Sequence, residues 1–382
     1  MTTRKLYYED CHLSAFRAQV LSCEAFEDRF RIILDATAFY PEGGGQASDT
    51  GTLGGVKVLH SLEQGEAVVH ICDGPLTPGE TVEGAIDWDK RFHRMQQHTG
   101  EHMVSGLIHK HFGYHNTGFH MSSEDITIDF DGVVPPGELP RLEREVNEAL
   151  WRNLEVKCFT PDPEELERTF YRTKKALPWP VRIVQIPGID SCACCGIHCA
   201  HTGEVGLIKL FSSVNFRGGS RIVMACGAHA LQLLNGAYAQ NKLVSQAFSA
   251  KTDATGEAAR RMNALLEERK FRITQLERRL FAATAAGYAG KGNILHFEEG
   301  LSPGAVRDLA DMIADTCRGT AAVFSGSDET GYSFCLVTRE GDLRQLGKDL
   351  TGALGGRGGG KPTFQQGSVK AAKAEIEAFF AR

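Results

Sequence analysis

The stretch His98-Thr99-Gly100-Glu101-His102, together with the later stretch Cys194-Cys195-Gly196-Ile197-His198, decides how this chain is organised. Each stretch contains two potential metal ligands at a spacing of four, which places both side chains on one helix face or within one tight turn. One cysteine and three histidines match the ligand number and chemistry of a tetrahedral zinc site. We therefore predict one Zn²⁺ per chain, held between two distant segments.

Spacing alone leaves the choice of cysteine open. Several neighbouring side chains are conceivable ligands: Cys192, Cys194, Cys195, Cys199 and His201. The first stretch excludes a metalloprotease, because that pattern needs a Glu directly after the first His, whereas Glu101 stands just before the second. A zinc finger is also a poor match, since finger ligands close a short loop.

The composition is that of a globular protein with more than one domain. The 382 residues are 42% hydrophobic and 24% charged. No stretch approaches the roughly 18 consecutive apolar residues of a membrane helix. The N-terminal segment lacks the apolar core of a signal peptide, so we expect a cytoplasmic protein whose eleven cysteines are not in disulfides. The net charge of −6 argues against coating nucleic acid by bulk charge, but not against local binding.

Periodicity divides the chain into four parts and predicts an α+β multidomain fold. Residues 1–85 carry short alternating runs between turn clusters, which indicates a small antiparallel β unit. Residues 86–227 are mixed α/β, and a helix expected from Asp87 or Asp89 to Gly113 carries both histidines of the first stretch. Residues 228–290 are helical, and residues 291–382 form a compact α/β unit.

Two of these parts carry further helical patterns. In the arm at 228–290, apolar side chains follow the spacing of a coiled coil: Met262, Leu266, Ile273, Leu276 and Leu280. We expect the arm and the C-terminal domain to form a homodimer, with an intramolecular hairpin as the alternative. In the last part, a final helix is expected to carry Val369, Ala372, Ile376 and Phe379 on one face.

Two glycine runs lie outside the ligand stretches. Gly43-Gly44-Gly45 suits either close approach to another molecule or an ordinary hairpin loop. The second run begins at Gly355 and contains Arg357-Gly358-Gly359-Gly360-Lys361. It meets the P-loop pattern until Pro362 replaces the Ser or Thr that holds magnesium, so we expect no nucleotide cofactor. A flexible basic backbone suits RNA phosphates, and a tight turn is the alternative.

Taken as a set, these motifs resemble the editing domain of alanyl-tRNA synthetase and its free-standing relatives, the AlaX proteins. The two ligand stretches, the second leading into Thr202–Gly206, resemble the zinc motifs of that domain. Phe39–Gln46 with Asp49–Gly51 is similar to the glycine-rich segment of the family's N-terminal β-barrel, and Gly355–Pro362 to the signature of its DHH-associated domain. The match covers essentially the whole chain, leaves no room for an aminoacylation domain, and points to the large AlaX type.

The resemblance implies a role for each part of the chain. Residues 1–85 would form the β-barrel, 86–227 the deacylase domain, 228–290 the helical arm, and 291–382 the tRNA-binding DHH-associated domain. The implied zinc ligands are His98, His102, Cys194 and His198. The implied tRNA-binding residues are those of the two glycine runs: Gly43, Gly44, Gly45, Arg357, Gly358, Gly359, Gly360 and Lys361.

The implied reaction is hydrolysis of the ester that joins a wrong amino acid, serine or glycine, to tRNA(Ala). A synthetase pocket sized for alanine rejects glycine poorly, because one missing methyl is worth only about 1–3 kcal/mol. Glu101 and His120 are candidate proton carriers, with packing or surface roles as the alternative. Asn116-Thr117-Gly118-Phe119-His120 replaces the family's Gln-x-Gly-Ser run, so the residues of the amino-acid pocket cannot be transferred.

A second function remains open at this stage. The chain could be a zinc-stabilised tRNA-binding module without catalytic activity. In that case His102→Ala would unfold the protein, whereas a catalytic zinc predicts a folded but inactive variant.

Overall fold

The computed structural model describes residues 1–121, 126–173 and 177–381 and divides into two compact units, Met1–Asn241 and Lys242–Arg382. Helices alternate with several separate sheets, which confirms the predicted α+β multidomain class. Within the described ranges no helix is long and apolar enough to cross a membrane. All eleven cysteines lie in the described part of the chain, and all are free.

The first unit begins with a closed barrel of six antiparallel strands, ordered β2-β3-β7-β6-β5-β8. Short strands outside the barrel, β1 and β4, pair with each other in parallel. The elements are β1 (Arg4–Lys5), α1 (Leu6–Glu9), β2 (Ala15–Phe26), β3 (Arg29–Leu34), β4 (Ala36–Thr37), β5 (Gly51–Leu53), β6 (Val56–Gln64), β7 (Ala67–Cys72) and β8 (Thr81–Ile86). Burial alternates along β8, which places Val82 and Ile86 in the barrel core beside Phe39.

The rest of the first unit surrounds one long helix with two antiparallel sheets. Its elements are α2 (Trp88–Phe112), β9 (Asn116–Met121), β10 (Ile126–Phe130), α3 (Leu139–Trp151), β11 (Lys157–Phe159), α4 (Pro163–Arg168), β12 (Ile183–Ile186), β13 (Asp190–Ala193), β14 (Ile208–Phe216), β15 (Gly219–Cys226) and most of α5 (Gly227–Ala247), which continues past Asn241. The sheets follow the orders β14-β15-β10-β9 and β11-β12-β13. The hairpin of β9 and β10 was not anticipated from the sequence.

The middle of helix α2 is unusual because it is both polar and buried. Every residue from 95 to 108 is buried, and seven of these side chains are polar or charged: Gln96, Gln97, His98, Thr99, Glu101, His102 and Ser105. Buried polar groups are costly unless each finds a partner. The middle of α2 is therefore where a functional site is expected. The helix ends, as predicted, at Gly113, whose φ of 73° closes it in the left-handed conformation.

A buried ion pair joins the barrel to α2. The Arg91 side chain is fully buried and donates to the Asp49 carboxylate and to the Ala38 carbonyl. Asp49 also accepts from the backbone N–H of Tyr40 at 2.7 Å. Asp49 follows the first glycine run, so this pair holds that run against the helix carrying the two histidines.

The second unit packs helices on one five-stranded sheet of order β16-β17-β18-β20-β19. Its elements are α6 (Thr255–Ala286), β16 (Ile294–Phe297), α7 (Pro303–Cys317), β17 (Ala321–Ser327), β18 (Gly331–Val337), α8 (Arg344–Ala353), β19 (Arg357–Lys361), β20 (Phe364–Val369) and α9 (Lys373–Phe380). Ser302 caps α7 by accepting from the N–H of Ala305 at 3.2 Å, with Pro303 in the first turn. The five predicted coiled-coil side chains on α6 are 40–56% exposed.

Two expectations for this unit were wrong. The final helix begins only at Lys373, because Val369 belongs to β20, where it pairs with Tyr332 and is buried. The second glycine run is neither a flexible loop nor a tight turn, because it forms the edge strand β19 along β20. A Cβ at Gly358 would lie 2.5 Å from the carbonyl oxygen of Gln366. Gly358 and Gly360 are needed because the neighbouring backbone approaches so closely.

Candidate metal centre and adjoining cavity

Four side chains converge beside the middle of α2. His98 and His102 come from the helix, and Cys194 and His198 from the loop that follows β13; their ligand atoms all lie within 4.8 Å of one another. The Sγ atom of Cys194 is 3.5 Å from Nε2 of His98 and 3.5 Å from Nε2 of His198. Ordinary zinc bond lengths and a tetrahedral angle give a sulfur–nitrogen separation of about 3.6 Å. The cluster therefore has the dimensions of a tetrahedral metal site.

The outer nitrogen of each imidazole is already engaged. His98 Nδ1 lies 3.0 Å from Oε1 of Gln46, His102 Nδ1 lies 3.0 Å from Oδ2 of Asp190, and His198 Nδ1 lies 3.3 Å from Oγ1 of Thr99. Histidines that bind metals characteristically donate their second N–H to such an acceptor, which fixes the tautomer and the ring plane. All three Nε2 atoms are thus left to face the cluster, so the residues present fit a bound metal.

The electrostatics of the cluster favour the metal-binding protonation states of Cys194 and His198. Burial would raise the pKa of the Cys194 thiol, but His98 and hydrogen bonds from the other imidazoles hold it well below its usual value. Burial and the nearby His98 lower the pKa of His198 well below its usual value. Thiolate and neutral imidazole are the forms that bind metals. At His102 the effect of burial is outweighed by Asp190 and Cys194, which raise the pKa of the imidazole. His102 must therefore lose a proton before it can bind a metal.

Two contacts hold the cysteine loop in place. Arg182 Nη1 donates to the carbonyls of Cys194 and Gly196, at 2.8 and 2.9 Å. Gly196 packs directly on a ligand, since a Cβ there would lie 2.2 Å from Cε1 of His98. The glycine in the second ligand stretch is therefore required by the close approach of the imidazole ring.

Asp190 connects the cluster to the largely buried side chain of Arg172. Its carboxylate accepts from Arg172 Nε at 2.7 Å and from Arg172 Nη2 at 2.9 Å, in addition to its contact with His102. Burial would raise the pKa of Asp190, but the hydrogen bonds from His102 and Arg172 outweigh burial and lower it. Asp190 therefore remains a carboxylate that orients the His102 ring.

Asp190→Asn is expected to lower the metal affinity by about 10–100-fold, the usual cost of losing a partner of a metal-bound histidine. The neutral amide orients His102 less strongly and no longer balances Arg172. Competition with a chromogenic chelator measures the affinity. Asp131→Asn, which changes an exposed carboxylate of the same unit, serves as the control and should leave the affinity unchanged. Equal affinities for wild type and Asp190→Asn would remove the orienting role.

A cavity of about 520 Å³ opens onto the cluster. Three of the four converging side chains line it, His98, His102 and Cys194, and so do Glu101 and Asn116. Five further lining residues are apolar, Phe119, Leu177, Pro178, Pro180 and Val181, and two are cationic, Arg172 and Arg182. The Phe119 ring stacks on His98 with centroids 5.4 Å apart and an angle of 18°. A few polar groups within an apolar wall are typical of a site for a small ligand group.

Of the two candidate proton carriers, only Glu101 lies at this cavity. Its Oε1 accepts from Ser105 Oγ and from Asn116 Nδ2, the latter at 2.6 Å. Its Oε2 lies 3.9 Å from His102 Nε2. His120 is exposed on β9, and the described lining of the cavity does not include it.

The two glycine runs lie in different surroundings. Gly44 belongs to the cavity wall, and Gly43 and Gln46 pair across a tight bridge that closes the first run. Residues 357–361 lie in the second unit, where all five are exposed. The structure thus brings Gly44 of the first run to the wall of this cavity, and the second run belongs to the other unit.

Three residues that orient the imidazoles were missed as site residues: Gln46, Thr99 and Asp190. All three lie within or next to the sequence motifs described above. Metal-binding histidines need a hydrogen-bond acceptor, so a carboxylate close to a ligand stretch is a candidate partner. Asp190, four residues before Cys194, could have been found in this way. Which acceptor meets which ring depends on contacts between distant segments, and spacing does not encode these.

Known proteins are similar to this chain along its whole length. Three family models match: "tRNA synthetases class II (A)" at residues 2–90, "Threonyl and Alanyl tRNA synthetase second additional domain" at 181–222, and "DHHA1 domain" at 289–382. The chain is 27% identical to alanyl-tRNA editing protein Aarsd1 of Danio rerio, with 97% of this chain and 95% of that protein covered. It is 28% identical to alanyl-tRNA editing protein AlaX-L of Pyrococcus horikoshii, with 97% and 96% covered.

Synthetases are matched over part of their length only. The chain is 30% identical to the alanine–tRNA ligase of Thermofilum pendens across 97% of this chain but 43% of the ligase. It therefore spans less than half of that relative.

Proposed function

The chain belongs to the alanyl-tRNA editing proteins of the large AlaX type, and on that premise we propose that it hydrolyses the ester between a wrong amino acid and tRNA(Ala). Serine is the main substrate, with glycine as a second. The observation that carries the proposal is a metal-binding cluster of one cysteine and three histidines at a cavity that also holds a buried carboxylate.

We assign one Zn²⁺ per chain to His98, His102, Cys194 and His198, because a thiolate with imidazoles is the donor set that zinc prefers. When bound, zinc would act as a Lewis acid that polarises the ester carbonyl or a water molecule. The protein contributes the rest of the chemistry. Asp190 and Gln46 hold the imidazole planes, and the apolar wall limits access of bulk water.

Glu101 is the group that we assign to proton transfer. Its Oε1 is occupied by hydrogen bonds from Ser105 and Asn116, whereas Oε2 faces the imidazole of His102 at 3.9 Å. A carboxylate in this position can take the proton that the attacking water loses as it adds to the carbonyl carbon. The carbon–oxygen bond to the ribose then breaks, and Glu101 returns this proton to the leaving ribose oxygen. The products are the free amino acid and uncharged tRNA.

We propose two contact regions for the tRNA. Gly44, at the cavity wall, leaves space for the 3′ end to approach, because glycine has no side chain. Strand β19 lies at the edge of its sheet, with the exposed cations Arg357 and Lys361 at its two ends. Exposed edge N–H groups and cationic side chains suit RNA phosphates.

We also propose a homodimer through the helical arm and the C-terminal domain. The exposed apolar positions on α6 keep the spacing of a coiled coil. Sedimentation equilibrium would give twice the mass of the chain, whereas a single mass would remove this part of the proposal.

The function is tested by charging tRNA(Ala) with serine and following release of free serine. We expect catalytic turnover by the purified protein, its loss on treatment with a strong chelator, and its return with added Zn²⁺. Protein that contains one metal per chain, keeps its circular dichroism spectrum and still releases no serine would support the alternative, a tRNA-binding module without catalysis.

A further inference from the structure

Arg182 is a cation on the cavity wall that no carboxylate of the described residues neutralises. Its side chain is partly buried and belongs to the lining of the cavity. The other cationic lining residue, Arg172, is paired with Asp190, whereas Arg182 takes part in none of the ion pairs among the described residues. Charges that are removed from bulk water are usually paired, so an unmatched guanidinium at a cavity indicates a site for an anion.

One side of this guanidinium is used within the protein. Nη1 donates to the carbonyls of Cys194 and Gly196, at 2.8 and 2.9 Å, so both of its hydrogens are bonded. The Cζ atom lies 4.5 Å from the ring centroid of Tyr8, whose hydroxyl donates to the carbonyl of Cys195 at 2.7 Å. These contacts fix the plane of the guanidinium before any ligand binds, which lowers the entropy cost of binding.

The other side of the guanidinium remains open. Nε and Nη2 make no hydrogen bond with any described residue, and neither atom is among the fully buried polar atoms that lack a partner. Both atoms therefore have accessible surface. The Cys158 thiol lies nearby but provides no opposite charge, because partial burial raises its pKa. The parallel N–H groups of Nε and Nη2 match two oxygens of a phosphate.

The position of this open side relative to the metal cluster matches one nucleotide. Nη1 bonds the carbonyl of Cys194, and the sulfur of the same residue belongs to the cluster, so about one residue separates the guanidinium from the cluster. In an aminoacylated RNA, one ribose separates the ester at the 3′-oxygen from the phosphate at the 5′-oxygen. An ester carbonyl placed at the cluster would therefore bring the 5′-phosphate of the same nucleotide close to Arg182.

We propose that Nε and Nη2 of Arg182 bind the 5′-phosphate of the terminal nucleotide, the one that carries the wrong amino acid. This inference rests on the proposed function and adds a positioning residue that acts on the RNA rather than on the amino acid. The phosphate supplies the missing opposite charge. Because every aminoacylated tRNA carries this phosphate, Arg182 should favour all charged forms of tRNA(Ala) equally and should not select among amino acids.

The test uses two small esters, 3′-O-seryl adenosine with and without a 5′-phosphate. Wild type should give a kcat/KM about 10–100-fold higher for the phosphorylated ester, the usual size of a hydrogen-bonded contact between charged groups. In Arg182→Gln this ratio should fall below about threefold, since the amide can still bond the cysteine loop but carries no charge. A ratio that is the same in both proteins, or close to one in wild type, overturns the inference.

Tyr8→Phe is the matched control, because it removes the hydrogen bond to Cys195 but keeps an aromatic ring against Arg182. A loosened cysteine loop lowers the rates of both esters together, so this variant should retain the wild-type ratio. Mass spectrometry verifies one metal per chain in each protein. A ratio that falls as far in Tyr8→Phe as in Arg182→Gln would assign the preference to the loop and would contradict the inference.

A binding measurement separates this inference from the proposed function, because it needs no turnover. Calorimetry compares the seryl amide of 3′-amino-3′-deoxyadenosine with its 5′-phosphate, neither of which can be hydrolysed as an ester. Wild type should bind the phosphorylated amide more tightly, and Arg182→Gln should lose that preference. Wild-type protein that prefers the phosphorylated amide but hydrolyses neither ester would contradict the function alone. Equal binding of the two amides by wild type would contradict the inference.

Phenylglyoxal, which modifies accessible guanidinium groups, tests the same contact in wild type if Arg182→Gln does not fold. The phosphorylated amide should protect Arg182 from modification more strongly than the amide without phosphate, as measured by mass spectrometry of peptides. Arg152, exposed after the end of α3, is the internal control and should react equally in all samples. Equal protection of Arg182 by the two amides overturns the inference.

Discussion

Cys194→Ala is expected to lose its metal and to hydrolyse serine-charged tRNA(Ala) at least about 100-fold more slowly than wild type, the upper end of what removal of even an outer partner costs. Cys194 provides the only sulfur in the four-residue cluster, and its Sγ lies 3.5 Å from Nε2 of two imidazoles. Without the thiolate, three imidazoles remain and the site loses its one negative ligand. Metal content by mass spectrometry and the deacylation rate measure the two effects.

Cys195→Ala is the matched control for this variant. Cys195 is the next residue and also lines the cavity, but it is exposed and does not belong to the cluster. It should retain one metal per chain. The opposite pattern, with metal lost from Cys195→Ala and kept in Cys194→Ala, would show that the ligand assignment is wrong. Circular dichroism of Cys194→Ala decides between the two functions, because a folded, inactive protein favours catalysis and an unfolded one favours a structural metal.

Asp49→Ala is expected to lower the free energy of unfolding of the first unit by about 3–5 kcal/mol. The variant leaves the guanidinium of Arg91 buried, with no carboxylate beside it. A loss of that size is large compared with the roughly 5–15 kcal/mol by which proteins are stable. Urea unfolding followed by circular dichroism measures the difference.

Two further variants test the reason for this loss. Replacing both partners, as in Asp49→Leu with Arg91→Met, should recover much of the stability, because the buried charge is removed together with its partner. Glu83→Ala breaks the exposed pair with Arg17 on the barrel surface and should change the stability little. An unfolding midpoint of Asp49→Ala equal to that of wild type would show that the ion pair does not stabilise the contact between the barrel and α2.

Local patterns in the sequence predicted the elements that carry the ligands. The spacing of His98 and His102 and the position of Gly113 were enough for α2, because capping and helical periodicity act over a few residues. Choosing Cys194 among its neighbours needed the family resemblance, and the structure places its sulfur, rather than that of Cys192 or Cys195, among the three imidazoles. The outer partners Gln46 and Asp190 depend on contacts between distant segments.

Two parts of the fold could not be predicted from the sequence, for a different reason. The hairpin of β9 and β10 begins with Asn116-Thr117-Gly118, where a bulge interrupts the strict alternation that marks a strand. The run at 357–361 has the composition of a loop, but it forms an edge strand, since Gly358 and Gly360 accommodate the close backbone of β20. In both places tertiary pairing overrides the local signal.

The most direct test of the account is a pair of initial rates, measured with the wild-type protein carrying one zinc, on the same tRNA(Ala) charged either with serine or with alanine. The account predicts release of serine at a rate at least about 100-fold above that of alanine, because a site that hydrogen-bonds the serine hydroxyl rejects an analogue that lacks it. Equal rates for the two amino acids, or no release of serine by folded, metal-loaded protein, would contradict it.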